Sequence, residues 1–265
     1  MTFIHNIKKR LLDMIGKIKR AMVLAAGKGK RLGELTRKTP KPLVDLGGTT
    51  PLFRIIKGLE KAGVEEIVIN CHWRAEKIID TIELWRSKGA FKAKVILSYE
   101  EDLLETAGGI KKAIGYFKDE PFLLVNGDIV WGEGFSEFVM EISDHYDAEK
   151  MDFLLALTPV DHDRKDNGDF RFYKDGRLDF LDEKEVSGIS YCGLSVIHTR
   201  VFDAIDEGYN PLVQVWRQAI TEKTFYGFKG DYPWIDMGTP EGLLKAKDII
   251  KYENGLPGKV IQFGA

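Results

Sequence analysis

The order of its apolar segments constrains the fold of this chain more than any other feature. From residue 21 onward, short apolar runs alternate with stretches whose apolar residues recur every three or four positions. Residues 21–25 read as a strand. Residues 51–62 read as a helix with Leu52, Ile55, Ile56 and Leu59 on one face, with Pro51 in its first turn and Gly63 as its stop. A strand over 66–70 (EIVIN) precedes a helix striped by Ala75, Ile78, Ile79 and Ile82. Strands at 94–98, 122–126 and 153–157 then alternate with helices at 109–117 and 135–142. Such an order leads to a parallel sheet covered by helices on both faces.

After Pro159 the rhythm changes. Residues 161–169 (DHDRKDNGD) are polar and predict a loop. Strands over 170–173 and 177–181, joined by Lys174-Asp175-Gly176, predict a hairpin. Strands at 189–197 and 225–228 and helices at 210–220 and 240–252 complete the pattern. The expectation is one α/β domain over 21–255, Rossmann-like, with three αβα layers and a mixed, mainly parallel central sheet.

Residues 1–20 stand apart. Ile4, Ile7, Leu11, Met14, Ile15 and Ile18 recur at helical spacing, and six lysines and arginines oppose them against the single acid Asp13. This predicts a basic amphipathic helix that packs on its own domain or on a second copy in a homodimer. Lying on an anionic membrane surface is the weaker reading, and a start codon assigned too early is a third.

Composition removes several classes of function. The chain has 265 residues, 44% of them hydrophobic, enough for one sizeable core. A formal net charge of −2 gives no reason to expect nucleic acid as a partner. Cys71 and Cys192 cannot build a disulfide framework, so a reducing cytoplasm fits. No apolar run approaches the roughly 20 residues of a membrane span, and no signal peptide is legible. The five histidines show no metal-ligand spacing, which argues against zinc.

The chemistry begins at Leu24-Ala25-Ala26-Gly27-Lys28-Gly29-Lys30-Arg31-Leu32, directly after the first strand. Gly27 and Gly29 let the backbone turn so that successive N–H groups face one anion, and Lys28, Lys30 and Arg31 add charge. The string is neither GxxxxGK[ST] nor GxGxxG, since Gly27, Gly29 and Gly33 give GxGxxxG. Thr36 and Pro40-Lys41-Pro42-Leu43 follow within a few residues. Two prolines around one lysine preset an extended backbone that aims an ammonium at a phosphate. Further on, Asn126-Gly127-Asp128 ends an apolar strand, where ligands of open α/β sheets sit. Trp234-Ile235-Asp236-Met237-Gly238-Thr239 places a second acid after a short apolar stretch. Two carboxylates plus phosphate oxygens suit Mg²⁺.

Together, LAAGKGKRL, Thr36 and PKPL resemble the signature of the sugar-phosphate nucleotidylyltransferase family, and the resemblance runs from about residue 21 to 252. It implies that family's fold, with residues 21–158 as a nucleotide-binding half and 159–255 as an acceptor-binding half. It implies a nucleoside triphosphate and a small phosphorylated acceptor as substrates, and Mg²⁺ held by Asp128 and Asp236. Arg31, Lys41 and Asp128 become the catalytic candidates. The nucleotide would be held by Leu24, Ala26, Gly27, Lys28, Gly29, Lys30, Arg31 and Asp128. Residues 98–109 resemble the family's nucleobase segment, adding Glu100 as an acceptor for a base N–H, with Thr106 and Gly108. Leu103 stands there where the nearest patterns have a proline. The sugar phosphate would meet Lys41, Asn126, Gly168, Asp169, Gly193 and Asp236.

The order GDF, a small-residue xxGxSV strand, then WxDxGT resembles the short bacterial members, among them N-acetylmuramate α-1-phosphate uridylyltransferases. That implies UTP with N-acetylmuramate 1-phosphate. The usual Glu-Lys-Pro acceptor motif is incomplete, because Glu185 follows Glu183-Lys184. GTP with mannose- or heptose-1-phosphate stays open. So does CTP with phosphocholine, for which Trp131, Tyr191 and Trp234 could cage the ammonium. A silent nucleotide-sensing subunit is the non-enzymatic alternative, and the intact set Arg31, Lys41, Asp128 and Asp236 argues against it.

Overall fold

A computed structural model describes residues 18–159, 167–182 and 188–253. The amphipathic segment expected at 1–20 lies almost wholly outside the described residues, as do Glu183 and Lys184.

The strands of the main sheet are Arg20–Leu24 (β1), Glu66–Cys71 (β2), Lys94–Tyr99 (β3), Phe122–Asn126 (β4), Phe153–Pro159 (β6), Phe170–Phe172 (β7), Leu178–Phe180 (β8), Ile189–Ile197 (β9) and Phe225–Lys229 (β10). Seven of them run in the order β10-β6-β9-β4-β1-β2-β3, and β7 and β8 join the same sheet through β9. Ile129–Trp131 (β5) and Trp234–Asp236 (β11) form a separate two-stranded antiparallel ribbon. Four strands, β3-β2-β1-β4, are mutually parallel. The strand β9 then runs antiparallel to both β4 and β6, which makes the sheet mixed. Strands from both halves of the sequence thus share one hydrogen-bonded sheet.

Alternation along the strands builds the three layers. In β1, Ala21 and Val23 enter one core and Met22 enters the other. In β6, Leu154 and Ala156 face the first core while Phe153, Leu155 and Leu157 face the second. A strand buried on both faces reads as a continuous apolar run, as FLLAL does. The first core is covered by Pro51–Lys61 (α2), Ala75–Ser87 (α3) and Phe135–His145 (α5). Thr50 starts α2 by accepting from Phe53 N at 3.2 Å. The second core is covered by Glu105–Ala113 (α4) and Leu212–Glu222 (α6). The short Glu34–Lys38 (α1) follows the glycine-rich loop, and Pro240–Glu253 (α7) packs with the β5–β11 ribbon in a third cluster through Val130, Ile235, Leu243 and Ala246.

The expected hairpin forms, with Gly176 in the left-handed region at φ +88°. Two expectations need correcting. The helix expected from 109 begins at Glu105 and ends at Ala113, with a 3-10 turn at Ile114–Phe117. Its start has no side-chain cap, and its two central glycines belong to the helix. The ribbon strands were not expected, because three residues are too few to show a period.

Candidate active site

Because β3, β2, β1 and β4 are parallel, their C-terminal ends emerge at one edge, and the loops that follow them converge there. They enclose a cavity of about 280 Å³. Every described residue lining it falls between Leu24 and Asp128.

The glycine-rich loop leaves β1 at Ala25 and closes with a 3-10 turn at Lys30–Leu32. Gly29 sits at φ +60°, where a Cβ would lie 3.1 Å from Thr36 Cγ2. The buried Thr36 hydroxyl donates to Gly29 O at 2.8 Å and so braces the loop from beneath. Gly27 is different: its φ is outside the left-handed region and an added Cβ would meet nothing within 4 Å. The tight turn therefore belongs to Gly29, while Gly27 leaves open space against the cavity. Leu24, Ala26, Gly27 and Gly29 line the cavity; Lys28, Lys30 and Arg31 are exposed and do not.

Lys41 is only 7% exposed and opens a 3-10 turn at Lys41–Leu43. Its backbone is thus helical rather than extended; Pro40, at φ −59° and ψ 143°, is the extended residue. Lys41 Nζ lies 2.5 Å from Asp128 Oδ2, and both residues line the cavity. The β5–β11 register sets Asp236 opposite Ile129, and Met237 N donates to Asp128 O at 3.2 Å, so the two acids are neighbours across the ribbon. Asp236 Oδ1 accepts from Gly238 N at 2.7 Å. A Cβ on Gly238 would lie 2.7 Å from both Arg31 Nη2 and Asp236 Oδ1. Arg31 thus reaches from the glycine-rich loop to the second acid.

No group of three or more His, Cys, Asp or Glu able to hold a metal occurs among the described residues. Asp128 and Asp236, on neighbouring backbone segments of the ribbon, carry carboxylates of the kind a hard divalent cation takes beside phosphate oxygens and water.

A buried polar chain connects the glycine-rich loop to the segment before α4. Ala25 N donates to Asn70 Oδ1 at 2.8 Å, Asn70 Nδ2 donates to Glu100 Oε1 at 2.7 Å, and Leu104 N donates to Glu100 Oε2 at 3.3 Å. Glu100 is wholly buried. Each of its oxygens accepts one hydrogen bond from the protein, and Glu100 also lines the cavity. Burial, followed by the Glu100 charge, pushes the nearby Cys71 thiol up to about 11, so it is not a nucleophile at neutral pH. Thr106 lines the cavity. Gly108 does not: it lies inside α4, where a Cβ would sit 2.0 Å from Gly208 O. Ala107 N and Gly108 N both donate to Asn210 O, and Asn210 N donates to Leu104 O.

Among the expected acceptor residues, Asn126 lines the cavity, whereas Gly168, Asp169, Gly193 and Asp236 do not. Asp169 Oδ2 accepts from Tyr191 N at 2.8 Å and holds β9. Gly193 has φ +82°, and a Cβ there would lie 2.7 Å from Ile129 Cγ1 and 3.2 Å from Asn126 Cβ. Trp131, Tyr191 and Trp234 do not line the cavity either. Ala25, Pro42, Asn70, Leu103, Glu105 and Gly127 also line the cavity and were not among the expected site residues. Asn70 had one visible signal, a polar residue ending the apolar run EIVIN.

Residues 20–253 match the model of the nucleotidyl transferase family. The chain is 30% identical over 229 residues to an N-acetylmuramate alpha-1-phosphate uridylyltransferase of Caulobacter vibrioides, covering 86% of this chain and 95% of that protein. It is 32% identical over 238 residues to the uridylyltransferase of the same name from Neisseria meningitidis serogroup B, covering 87% and 97%. A solved UDP-glucose pyrophosphorylase complexed with UDP-glucose superposes with a TM-score of 0.75 at 16% identity, over 89% of this chain and 99% of that one, a likeness of fold. The chain belongs to the nucleotidyl transferase family, and it is an enzyme of the sugar-phosphate nucleotidyltransferase kind.

Proposed function

We propose that the chain transfers a uridylyl group from UTP to N-acetylmuramate 1-phosphate in the cytoplasm, releasing pyrophosphate. The reaction type rests on one observation above all. A nearly buried lysine, Lys41, is paired with Asp128 at 2.5 Å at the mouth of a glycine-rich loop, with Asp236 beside them. The choice of substrates rests on the two uridylyltransferase relatives, which this chain matches along almost their whole length.

An oxygen of the sugar phosphate attacks the α-phosphorus of UTP. A new P–O bond forms as the bond to the bridging oxygen breaks, and pyrophosphate departs with that electron pair. The nucleophile is ionised near neutral pH, so no general base is needed; positioning and neutralisation of charge do the work. Loop N–H groups around Gly27 and Gly29 and the Arg31 guanidinium hold the β- and γ-phosphates. Lys41 leaves Asp128 to stabilise the charge that develops at the α-phosphate. Asp128 and Asp236 would hold Mg²⁺, whose chemistry is to neutralise phosphate oxygens and orient both substrates. Asn126, at the end of β4, faces the acceptor.

A matrix of four nucleoside triphosphates against N-acetylmuramate, mannose, glucose and heptose 1-phosphates, with phosphocholine as a further acceptor, tests the assignment by pyrophosphate release. UTP with N-acetylmuramate 1-phosphate should give the highest kcat/KM. A higher value for any other pair contradicts it.

A further inference from the structure

We propose that Trp73 and Arg74, in the turn after β2, are positioning residues that hold the glycine-rich loop in its phosphate-binding shape by capping α1. Neither residue lines the cavity. The inference rests on the reading of that loop as the holder of the β- and γ-phosphates, and it names what keeps the loop in shape.

The loop is anchored at two ends. One continues β1 and is fixed by the sheet. The other runs into α1, which has little hold of its own. Its 5 residues fall far short of the roughly 12–15 that an isolated helix needs. Its N-cap is Gly33, with no side-chain cap. The carbonyls of its last turn have no partner within the helix. The turn after β2 supplies partners for two of them. Trp73 Nε1 donates to Thr36 O at 3.1 Å, and Arg74 Nε and Nη2 donate to Arg37 O at 3.4 and 3.3 Å. A guanidinium also suits the negative end of a helix. Trp73 N donates to Ala26 O at 3.4 Å, so the same turn touches the loop near its start.

Thr36 carries the hold from α1 into the loop. Its carbonyl accepts from the Trp73 indole, while its hydroxyl donates to Gly29 O at 2.8 Å and lies 3.3 Å from Gly33 O. Gly29 and Gly33 are the glycines of this segment with positive φ, +60° and +55°. The residue that braces both tight turns is thus itself fixed by Trp73. Arg74 is in the left-handed region at φ +53°, where a side chain is strained and glycine would not be. Its guanidinium carbon lies 5.2 Å from the centre of the Trp73 ring, so the two caps also hold each other. Strain kept at a residue whose side chain makes the cap points to a role for that side chain.

The test uses the full chain with Mg²⁺, and calorimetry with UTP, UMP and inorganic pyrophosphate. Trp73→Phe keeps an aromatic ring and removes the indole donor. It should weaken UTP and pyrophosphate by about fivefold, the worth of one hydrogen bond. UMP, which lacks the β- and γ-phosphates, should bind as to the wild type. The UTP KM should rise in step, with little change in kcat or in the acceptor KM. Arg74→Ala removes a side chain that is 42% exposed, so it should leave the fold intact and give a smaller loss of the same kind. Thr36→Val should reproduce the Trp73→Phe loss, and the double variant should fall well short of the product of the two losses, because both break one chain of contacts. Equal losses for UTP and UMP overturn the proposal. So do UTP and pyrophosphate affinities that stay at the wild-type value in both Trp73→Phe and Arg74→Ala, and so do losses that multiply in the double variant. A wild type that binds pyrophosphate yet transfers nothing from UTP to N-acetylmuramate 1-phosphate would count against the proposed substrates alone, because the pyrophosphate comparison does not depend on the base or the acceptor.

Discussion

The strands β3, β2, β1 and β4 and the strands β9, β6 and β10 belong to one sheet, but the loops around them are used in opposite ways. On the parallel side, loops leave four adjacent strand ends in one direction, and their polar groups meet: Ala25 with Asn70, Asn70 with Glu100, Lys41 with Asp128. Beyond β4, where β9 runs antiparallel while β6 and β10 keep the direction of β4, the polar and small residues around β9 meet the scaffold. Asp169 pins Tyr191, and Gly193 admits Asn126 and Ile129 against the bend in β9. The difference teaches where each half does its work. Parallel strands deliver loops to a shared edge, so that side forms the cavity wall. The second half reaches the cavity from outside, through the β5–β11 ribbon that brings Asp236 beside Asp128 and through Asn210, which holds the segment before α4.

The sharpest way to break this contrast is Lys41→Ala. Losing a preorganised cation at the reacting phosphate should lower kcat by a factor on the order of 10² to 10³, with the melting temperature little changed; steady-state kinetics and a thermal melt check both. Next comes Asn70→Ala, which strips one partner from the buried Glu100 and leaves Ala25 N without an acceptor. Chemical denaturation should show a loss of about 2–4 kcal/mol, and the nucleotide KM should rise because the glycine-rich loop starts at Ala25. A destabilised variant with an unchanged nucleotide KM would mean that the buried chain holds the fold but not the loop. The smallest effect is expected around the reversed strand β9. Gly193→Ala forces a Cβ against Ile129 and Asn126 and should cost about 1–3 kcal/mol. Its KM effect should fall on the acceptor, through Asn126, and spare the nucleotide. If the nucleotide KM moved instead, the division between the two sides would be wrong.

Local pattern made much of this legible. The apolar run at 189–197 is β9 to the residue, and the strand-loop-lysine order led straight to Gly29 and Lys41. What sequence could not show was competition between partners distant in the chain. Glu100, expected at the base from the resemblance, lines the cavity, but its bond from Asn70, thirty positions away, has no sign in the local sequence. Lys41 and Asp128 are 87 positions apart, and only the packing of β1 beside β4 makes them a pair. Gly108 was expected at the nucleotide; in the structure it lies inside α4, where Gly208 O leaves no room for a Cβ. The left-handed Glu105 had no local signature either, since its conformation is imposed by Glu100 and Asn210 acting on its neighbours.

The central claim is that the α-phosphate of the nucleotide is transferred to the acceptor between Lys41, Asp128 and Asp236. Following UTP labelled at the α-phosphorus, in the presence of N-acetylmuramate 1-phosphate and Mg²⁺, tests it most directly. The label should appear in a nucleotide-sugar product, with unlabelled pyrophosphate released in equal amount, and Asp128→Asn and Asp236→Asn should each abolish the transfer. Label retained in free nucleotide while the γ-phosphate moves to the sugar, or full transfer by either variant, would contradict it.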